Sequence, residues 1–217
     1  MQWLGVLVLL ALPAAFVLKG NSAHLAAASA AGGARPLSAR EAVAQDMVNR
    51  ALLAIATQQL GRNCVLSAFQ AALKAKGGIP LDLHVDELIA PSPYAHHNDS
   101  INCTIALTDY TEENGPLAYV PGSHKYMGAP MGREGWDQRE KVLVRKGSAI
   151  IWPRSTWHGA FTGTQPGLRM SLIVVYARPH MRTLEDYRDD VTPELLAKHP
   201  PRFAKLMGRH ISYGWKH

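Results

Sequence analysis

His84 and Asp86 stand one residue apart, and His158 follows far downstream. Two imidazoles and one carboxylate can occupy one face of an octahedral iron, leaving the opposite face for a cosubstrate and O2. In Leu81-Asp82-Leu83-His84-Val85-Asp86, apolar and polar residues alternate. A strand places residues two apart on one face, which makes His84 and Asp86 neighbours at a spacing a metal ion bridges. A His-x-Asp pair arises readily by chance, and His97-Asn98-Asp99 is a second one. That second pair lies among Pro, Ser and Asn without alternation and reads as loop. His158 follows the apolar run Ser148–Trp152 and a polar turn, flanked by Trp157 and Gly159. Taken alone, such a histidine is more often a half-buried structural residue.

Arg169 shifts that balance. It enters the apolar segment Leu168–Ala177 after a Pro166-Gly167 turn. An arginine in so apolar a strand is costly unless a carboxylate meets it. Its fork of N–H groups fits the distal carboxylate of 2-oxoglutarate by two parallel bonds. Ser171 shares its face by the period of two and adds a hydroxyl. The alternative for Arg169 is an ordinary ion pair with a protein carboxylate.

The elements that must hold these residues are short. A helix is predicted over residues 38–60: Ser38 and Glu41 form a capping box, Val43, Met47, Ala51 and Ile55 form an apolar stripe, and Gly61 ends it. Residues 20–37, rich in Ala, Gly and Ser, read as a linker. From residue 63 the period changes to that of strands. Candidates are Cys64–Phe69, Leu81–Glu87, Ile101–Thr108, Leu117–Val120, Lys141–Val144, Ser148–Trp152 and Leu168–Ala177. Gly- and Pro-containing turns separate them. No strand–helix alternation appears, which argues against a doubly wound parallel sheet and for a sandwich or jelly roll. The tail closes in a short helix capped by Thr192, with Pro193 in its first turn and Pro200-Pro201 breaking it. The expected organisation is an N-terminal segment, 1–37, and one domain, 38–217.

The bulk numbers agree with a globular chain. Its 217 residues are 47% hydrophobic and 18% charged, enough for one domain with a core. The net charge of +6 favours anionic small molecules, while the scattered Lys and Arg argue against nucleic acid. Cys64 and Cys103 form neither a metal spacing nor a disulfide framework and read as buried thiols. The apolar run Trp3–Leu18 is short for a membrane span. It resembles a secretory signal but lacks a preceding cation. The expectation is a cytoplasmic protein, with export or anchoring through residues 1–30 as the alternative.

Five blocks in order resemble the phytanoyl-CoA dioxygenase-like family of Fe(II)/2-oxoglutarate oxygenases. They are Leu83-His84-Val85-Asp86-Glu87, the segment Ala106–Gly115 with its Glu113-Asn114-Gly115, Val120-Pro121-Gly122-Ser123-His124-Lys125, Trp157-His158-Gly159-Ala160 and Pro166-Gly167-Leu168-Arg169. The resemblance covers about residues 50–190. It implies a mainly β chain, a double-stranded β-helix with flanking α-helices and iron between its sheets. It implies His84, Asp86 and His158 as metal ligands and Arg169 as the anchor of 2-oxoglutarate. His124 is not a ligand in this pattern, and the Asn114-Gly115 and Pro121-Gly122 pairs supply turns. Two features depart from it. The N-terminal region is short, and Ala160 stands where many members carry a small hydroxyl residue, which leaves one contact to 2-oxoglutarate either missing or taken over by Ser171. Asn102 and Thr104, on the strand after the first ligands, could reach the cosubstrate.

The function implied is hydroxylation of a small organic substrate, with 2-oxoglutarate converted to succinate and CO2. Related halogenases lack the carboxylate ligand, so Asp86 favours hydroxylation. Two alternatives remain at this level: a cupin-like metal enzyme that does not use 2-oxoglutarate, and a non-catalytic jelly-roll binding protein.

Overall fold

The structure, a computed structural model, describes residues 8–10, 50–77, 80–87, 91–187 and 191–210. The chain divides into two compact units, whose boundaries fall inside three strands. The first comprises Met1–Val17, Gln70–Asn98 and Asn102–Ile173; the second comprises Leu18–Phe69, Asp99–Ile101 and Val174–His217.

The strands are β1 (Val8–Leu10), β2 (Val65–Ala75), β3 (Leu81–His84), β4 (Ser100–Ala106), β5 (Leu117–Tyr119), β6 (Glu140–Val142), β7 (Ala149–Pro153), β8 (His158–Ala160) and β9 (Leu168–Ala177). They form two sheets, ordered β1-β7-β4-β9-β2 and β3-β8-β5-β6. The small sheet is antiparallel throughout, with Leu117 opposite both Val142 and Ala160. This is a mainly β jelly roll, as the turn-punctuated sequence predicts. The sequence Ser100-Ile-Asn-Cys-Thr-Ile-Ala106 is buried at every position of β4. β-Branched residues suit such a central strand because they pack well on a pleated surface. In the first unit, Ala106, Ile150 and Trp152 of one sheet pack with Leu117 and Val142 of the other, around Tyr110 and Val144.

The second unit contains α1 (Arg50–Leu60), α2 (Pro193–Lys198) and α3 (Pro201–Leu206). The predicted cap at Ser38–Glu41 lies outside the described residues. The buried stripe of α1 is Leu52, Ala56 and Leu60, one residue round from the predicted Ala51 and Ile55. The period is the same, but larger apolar residues at 52 and 60 win the inward face. Gly61 ends α1 at φ 91°, with its N–H on Thr57 O at 2.9 Å. Thr192 caps α2 by accepting from Leu195 N–H. Pro200-Pro201 does end that helix, and Pro201 also starts α3, where a missing N–H costs nothing.

Other differences are of boundary. β2 continues six residues beyond the predicted Phe69, through a half whose side chains are largely exposed. β3 stops at His84 instead of Glu87, and β8 was not among the predicted strands. Three residues of the apolar N-terminal run form β1, paired antiparallel with β7 from Val8–Ile151 to Leu10–Ala149. The rest of that run, and the linker, lie outside the described residues. Among the described residues no helix is long and apolar enough to cross a membrane.

Candidate metal centre

His84 ends β3 and His158 begins β8, and the two are register partners. Their ring centroids are 4.3 Å apart. Asp86 lies just past β3 in a bend, where its N–H donates to Arg154 O at 3.1 Å. Strand parity pairs two residues that the structure does bring together, although Asp86 is outside the strand and the β3–β8 register shifts between Leu81 and His84. His158 Nε2 is 3.2 Å from Asp86 Oδ2, and His84 Nε2 is 3.6 Å from Asp86 Oδ1. His158 is buried, whereas the side chains of His84 and Asp86 are 36% and 31% exposed. The cluster thus has one closed side and one open side.

The far ring nitrogens decide what the cluster is suited to hold. His84 Nδ1 meets Asp82 O at 2.8 Å, and His158 Nδ1 meets Thr156 O at 2.9 Å. A carbonyl only accepts, so each Nδ1 carries the proton and each neutral ring turns its Nε2 lone pair to Asp86. Two lone pairs and a carboxylate then converge, with one donor atom from each of the three within 4.8 Å of the others. Such a set repels itself unless a cation or extra protons lie between, and two N donors with one O donor suit a divalent transition metal. The donor set fits the expected metal. Among the described residues this is the cluster of His, Cys, Asp and Glu that could hold one.

The electrostatics have two signs. Burial, and then the neighbouring His158, hold the His84 imidazole below its ordinary pKa despite Asp82 and Asp86. Burial pushes the Asp86 carboxyl up, but the contact with His158, the charge either imidazole brings when it is protonated and the hydrogen bond from Asn102 outweigh it, so the net shift is down. Asn102, on β4, donates its amide N–H to Asp86 Oδ2. It is therefore an orienting partner of the carboxylate. Its Oδ1 is buried without a partner. Thr104 is buried two residues further along β4.

Arg169 and Ser171 lie together on β9, with Nη1 to Oγ at 3.4 Å. Both are buried. Ser171 also receives a hydrogen bond from Tyr110 OH at 2.7 Å, and the Arg169 guanidinium lies 4.6 Å from the centre of the Tyr110 ring. The aromatic face offsets part of the cost of burying this charge. Arg169 Nε is shielded from solvent and has no hydrogen-bond partner among the described residues. The ion pair considered for it is thus not formed within the described residues. Lys74 stands close enough for burial and then the Arg169 charge to depress its pKa. Two cations therefore share one region. Ala160 is buried opposite Leu81 and Leu117.

The diagnostic blocks hold the site from behind. Ser123, fully buried, donates to Val120 O at 2.7 Å and accepts from Trp157 N–H at 2.9 Å, which pins the residue before His158. Gly122 at φ 77° precedes it. His124 is outside the cluster. Asn114 does not make a tight hairpin turn. Its amide accepts from Thr111 N–H and donates to Asp109 O, closing the loop before β5. A Cβ on Gly115 would meet Phe161 O at 2.7 Å, so that glycine permits close approach to the chain after β8. The rejected pair behaves as expected: His97 is exposed, and Asp99 faces Arg178 and His180.

Sequence reading missed Tyr110 and Lys74 at the site. Trp152, with its ring 5.1 Å from that of His158, sits on a strand whose inward face was readable from its apolar alternation. Its position beside His158 was not, because that depends on which strands are neighbours.

A jelly roll presenting two imidazoles and a carboxylate at one point has the architecture of the non-haem mononuclear metal enzymes. The chain belongs to the phytanoyl-CoA dioxygenase family, whose sequence profile matches residues 14–171. Dioxygenase af480 of Aspergillus fumigatus is 29% identical over 174 residues, which are 77% of this chain and 55% of that one. Dioxygenase trt7 of Aspergillus terreus is 33% identical over 135 residues, 57% of this chain and 47% of that one. The chain spans about half the length of the curated relatives it matches. HygX of Streptomyces hygroscopicus, solved with nickel and 2-oxoglutarate bound, has the same fold at a TM-score of 0.56 and 17% identity, covering 82% of this chain and 84% of that one. The non-haem monooxygenase ThoJ does so at 0.55 and 20%, covering 85% and 76%.

Proposed function

We propose that the protein is an Fe(II)/2-oxoglutarate-dependent dioxygenase that hydroxylates a small organic substrate. The observation that carries this is the orientation of the two histidines, whose protons are committed to Asp82 O and Thr156 O while both Nε2 atoms face Asp86. When bound, Fe(II) with 2-oxoglutarate consumes O2, releases succinate and CO2 and delivers one oxygen atom to a substrate C–H bond.

The chain's own residues set the conditions for that chemistry. His84, Asp86 and His158 would hold the metal on one face. Asn102 holds Asp86 Oδ2 so that the carboxylate keeps one orientation, and such outer partners raise metal affinity and fix geometry. Arg169 would receive the distal carboxylate of 2-oxoglutarate, with Ser171 Oγ and Tyr110 OH beside it. Its unpartnered Nε is a donor still available for that oxygen. Trp152 covers the ring of His158 and keeps bulk water from the buried side, where exclusion strengthens every charge interaction.

The test is succinate formation from 2-oxoglutarate by purified protein loaded with Fe(II), with and without Asp86→Ala and Arg169→Ala. The expected result is loss of turnover in both variants and weaker 2-oxoglutarate binding in the second. Unchanged rates would sink the assignment. A metal-loaded protein that binds no 2-oxoglutarate by calorimetry would point instead to a cupin-like enzyme without this cosubstrate.

A further inference from the structure

A second buried arginine has no task in the site as described. Arg154 follows β7 directly and is 3% exposed. Its Nε and Nη2 are shielded from solvent and have no hydrogen-bond partner among the described residues. An unpaired guanidinium in the interior is among the most costly arrangements a fold can carry. Those two nitrogens form the side-on fork of the guanidinium, whose N–H bonds run parallel. That fork matches the two oxygens of a carboxylate. Glu87, the nearest acid in sequence to the triad, does not supply them, since no ion pair joins it to Arg154 among the described residues. Its Oε1 is itself shielded and without a partner.

The position of Arg154 follows from the sheet. Trp152 faces His158, and Arg154 comes two residues later, in the turn that leaves β7. The Arg154 carbonyl accepts from Asp86 N–H, so its backbone touches the segment bearing the triad's carboxylate. Two further bonds set the levels: Ala106 N–H to Ser148 O and Leu107 N–H to Met170 O, each at 2.9 Å. They align the end of β4 with the starts of β7 and β9, where Arg169 and Ser171 lie. From there β4 runs back to Asn102 and β7 runs on to Trp152, a distance of roughly 13 Å along each strand. Arg154 lies beyond, in the turn after β7. The order along the backbone is Arg169, then Asn102 and Trp152, then the turn that bears Arg154.

We propose that Arg154 is a substrate-binding residue, and that the molecule to be oxidised carries a carboxylate held by its Nε and Nη2. The proposal rests on the 2-oxoglutarate reading, which assigns the other buried arginine, Arg169, to the cosubstrate. A single guanidinium fork suits a monoanionic carboxylate, and the net charge of +6 draws anions to the protein.

The experiment uses the full chain loaded with Mn(II) and saturated with N-oxalylglycine, so that the Arg169 side is filled. Acetate, propionate and benzoate are titrated against it, with acetamide, propionamide and benzamide as neutral controls. Thermal shift and calorimetry are the readouts. The carboxylates raise the melting temperature and the amides do not. In Arg154→Met carboxylate binding weakens by roughly 30-fold or more, while Mn(II) and N-oxalylglycine bind as in the wild type. The methionine variant also melts no lower than the wild type, because it removes an unpaired charge and keeps the apolar stem. Carboxylates that fail to shift the wild type, or that bind Arg154→Met equally well, overturn the proposal. So does a methionine variant that melts several degrees lower, which would mark Arg154 as a structural residue. If N-oxalylglycine itself does not bind, the cosubstrate reading fails, and the same carboxylate titration on metal-free protein then decides the role of Arg154 by itself.

Discussion

Gly159 separates the two histidine-bearing strands, and Gly159→Ala tests whether their spacing sets the metal site. A Cβ at this position would lie 2.4 Å from Leu81 O and 3.0 Å from Asp82 O. A carbon and a carbonyl oxygen rest no closer than about 3.3 Å, so the shortfall at Leu81 O is roughly 0.9 Å. Both obstacles are backbone and cannot swing aside. β3 must therefore move from β8 by nearly that distance, and it carries His84 away from its register partner His158. A displacement of ~1 Å in a pre-organised site costs on the order of 100-fold, and overpacking of this kind costs about 1–3 kcal/mol of stability. Mn(II) titration calorimetry and urea unfolding measure the two quantities separately. Leu52→Ala is the control. It empties a buried position on α1 at about 2–5 kcal/mol and leaves metal affinity at the wild-type value. If Gly159→Ala loses stability yet binds Mn(II) as tightly as the wild type, the β3–β8 spacing does not set the site and the reasoning is refuted.

Other predictions follow from the same geometry. Asn102→Ala frees the Asp86 carboxylate and leaves it accepting one hydrogen bond fewer, and Mn(II) affinity falls by roughly 10- to 100-fold, read by calorimetry. His84 and Asp86 both have folded-state pKa values below their ordinary ones, so the unfolded chain binds the extra protons. Their contribution to stability is complete above the unfolded pKa values and is lost as pH falls, first for His84 below about 6.5 and then for Asp86 below about 3.9. Thermal melts of metal-free protein against pH show this, and a melting temperature that rises as pH falls from 7 to 5 contradicts it. Burial pushes the Cys103 thiol up to about 12, so native protein resists iodoacetamide at that residue and is alkylated there only in denaturant. Peptide mass spectrometry locates the label, and rapid native labelling of Cys103 would count against its burial.

What the sequence disclosed and what it withheld divide along one physical line. Periodicity along the chain was readable, and it chose His84 and Asp86 over His97 and Asp99 because apolar alternation marks a face. It also marked β9 at its correct ends, since Leu168–Ala177 is one apolar run between turn residues. The single misplaced face, the stripe of α1, came from reading spacing without side-chain size. Across-chain adjacency was not readable. Tyr110 reaches Ser171 and Trp152 reaches His158 only because of the order in which strands line up, and nothing local encodes that order. The same limit explains the arginines. Arg169 drew notice because it interrupts an apolar run. Arg154 stands in the polar turn Pro153–Thr156, where nothing in the sequence singles it out. Only the sheet shows that this turn folds against the Asp86 segment and takes the guanidinium inside. A buried charge is expensive wherever it sits, so the arginine that the sequence made inconspicuous demands a partner as strongly as the one it made obvious.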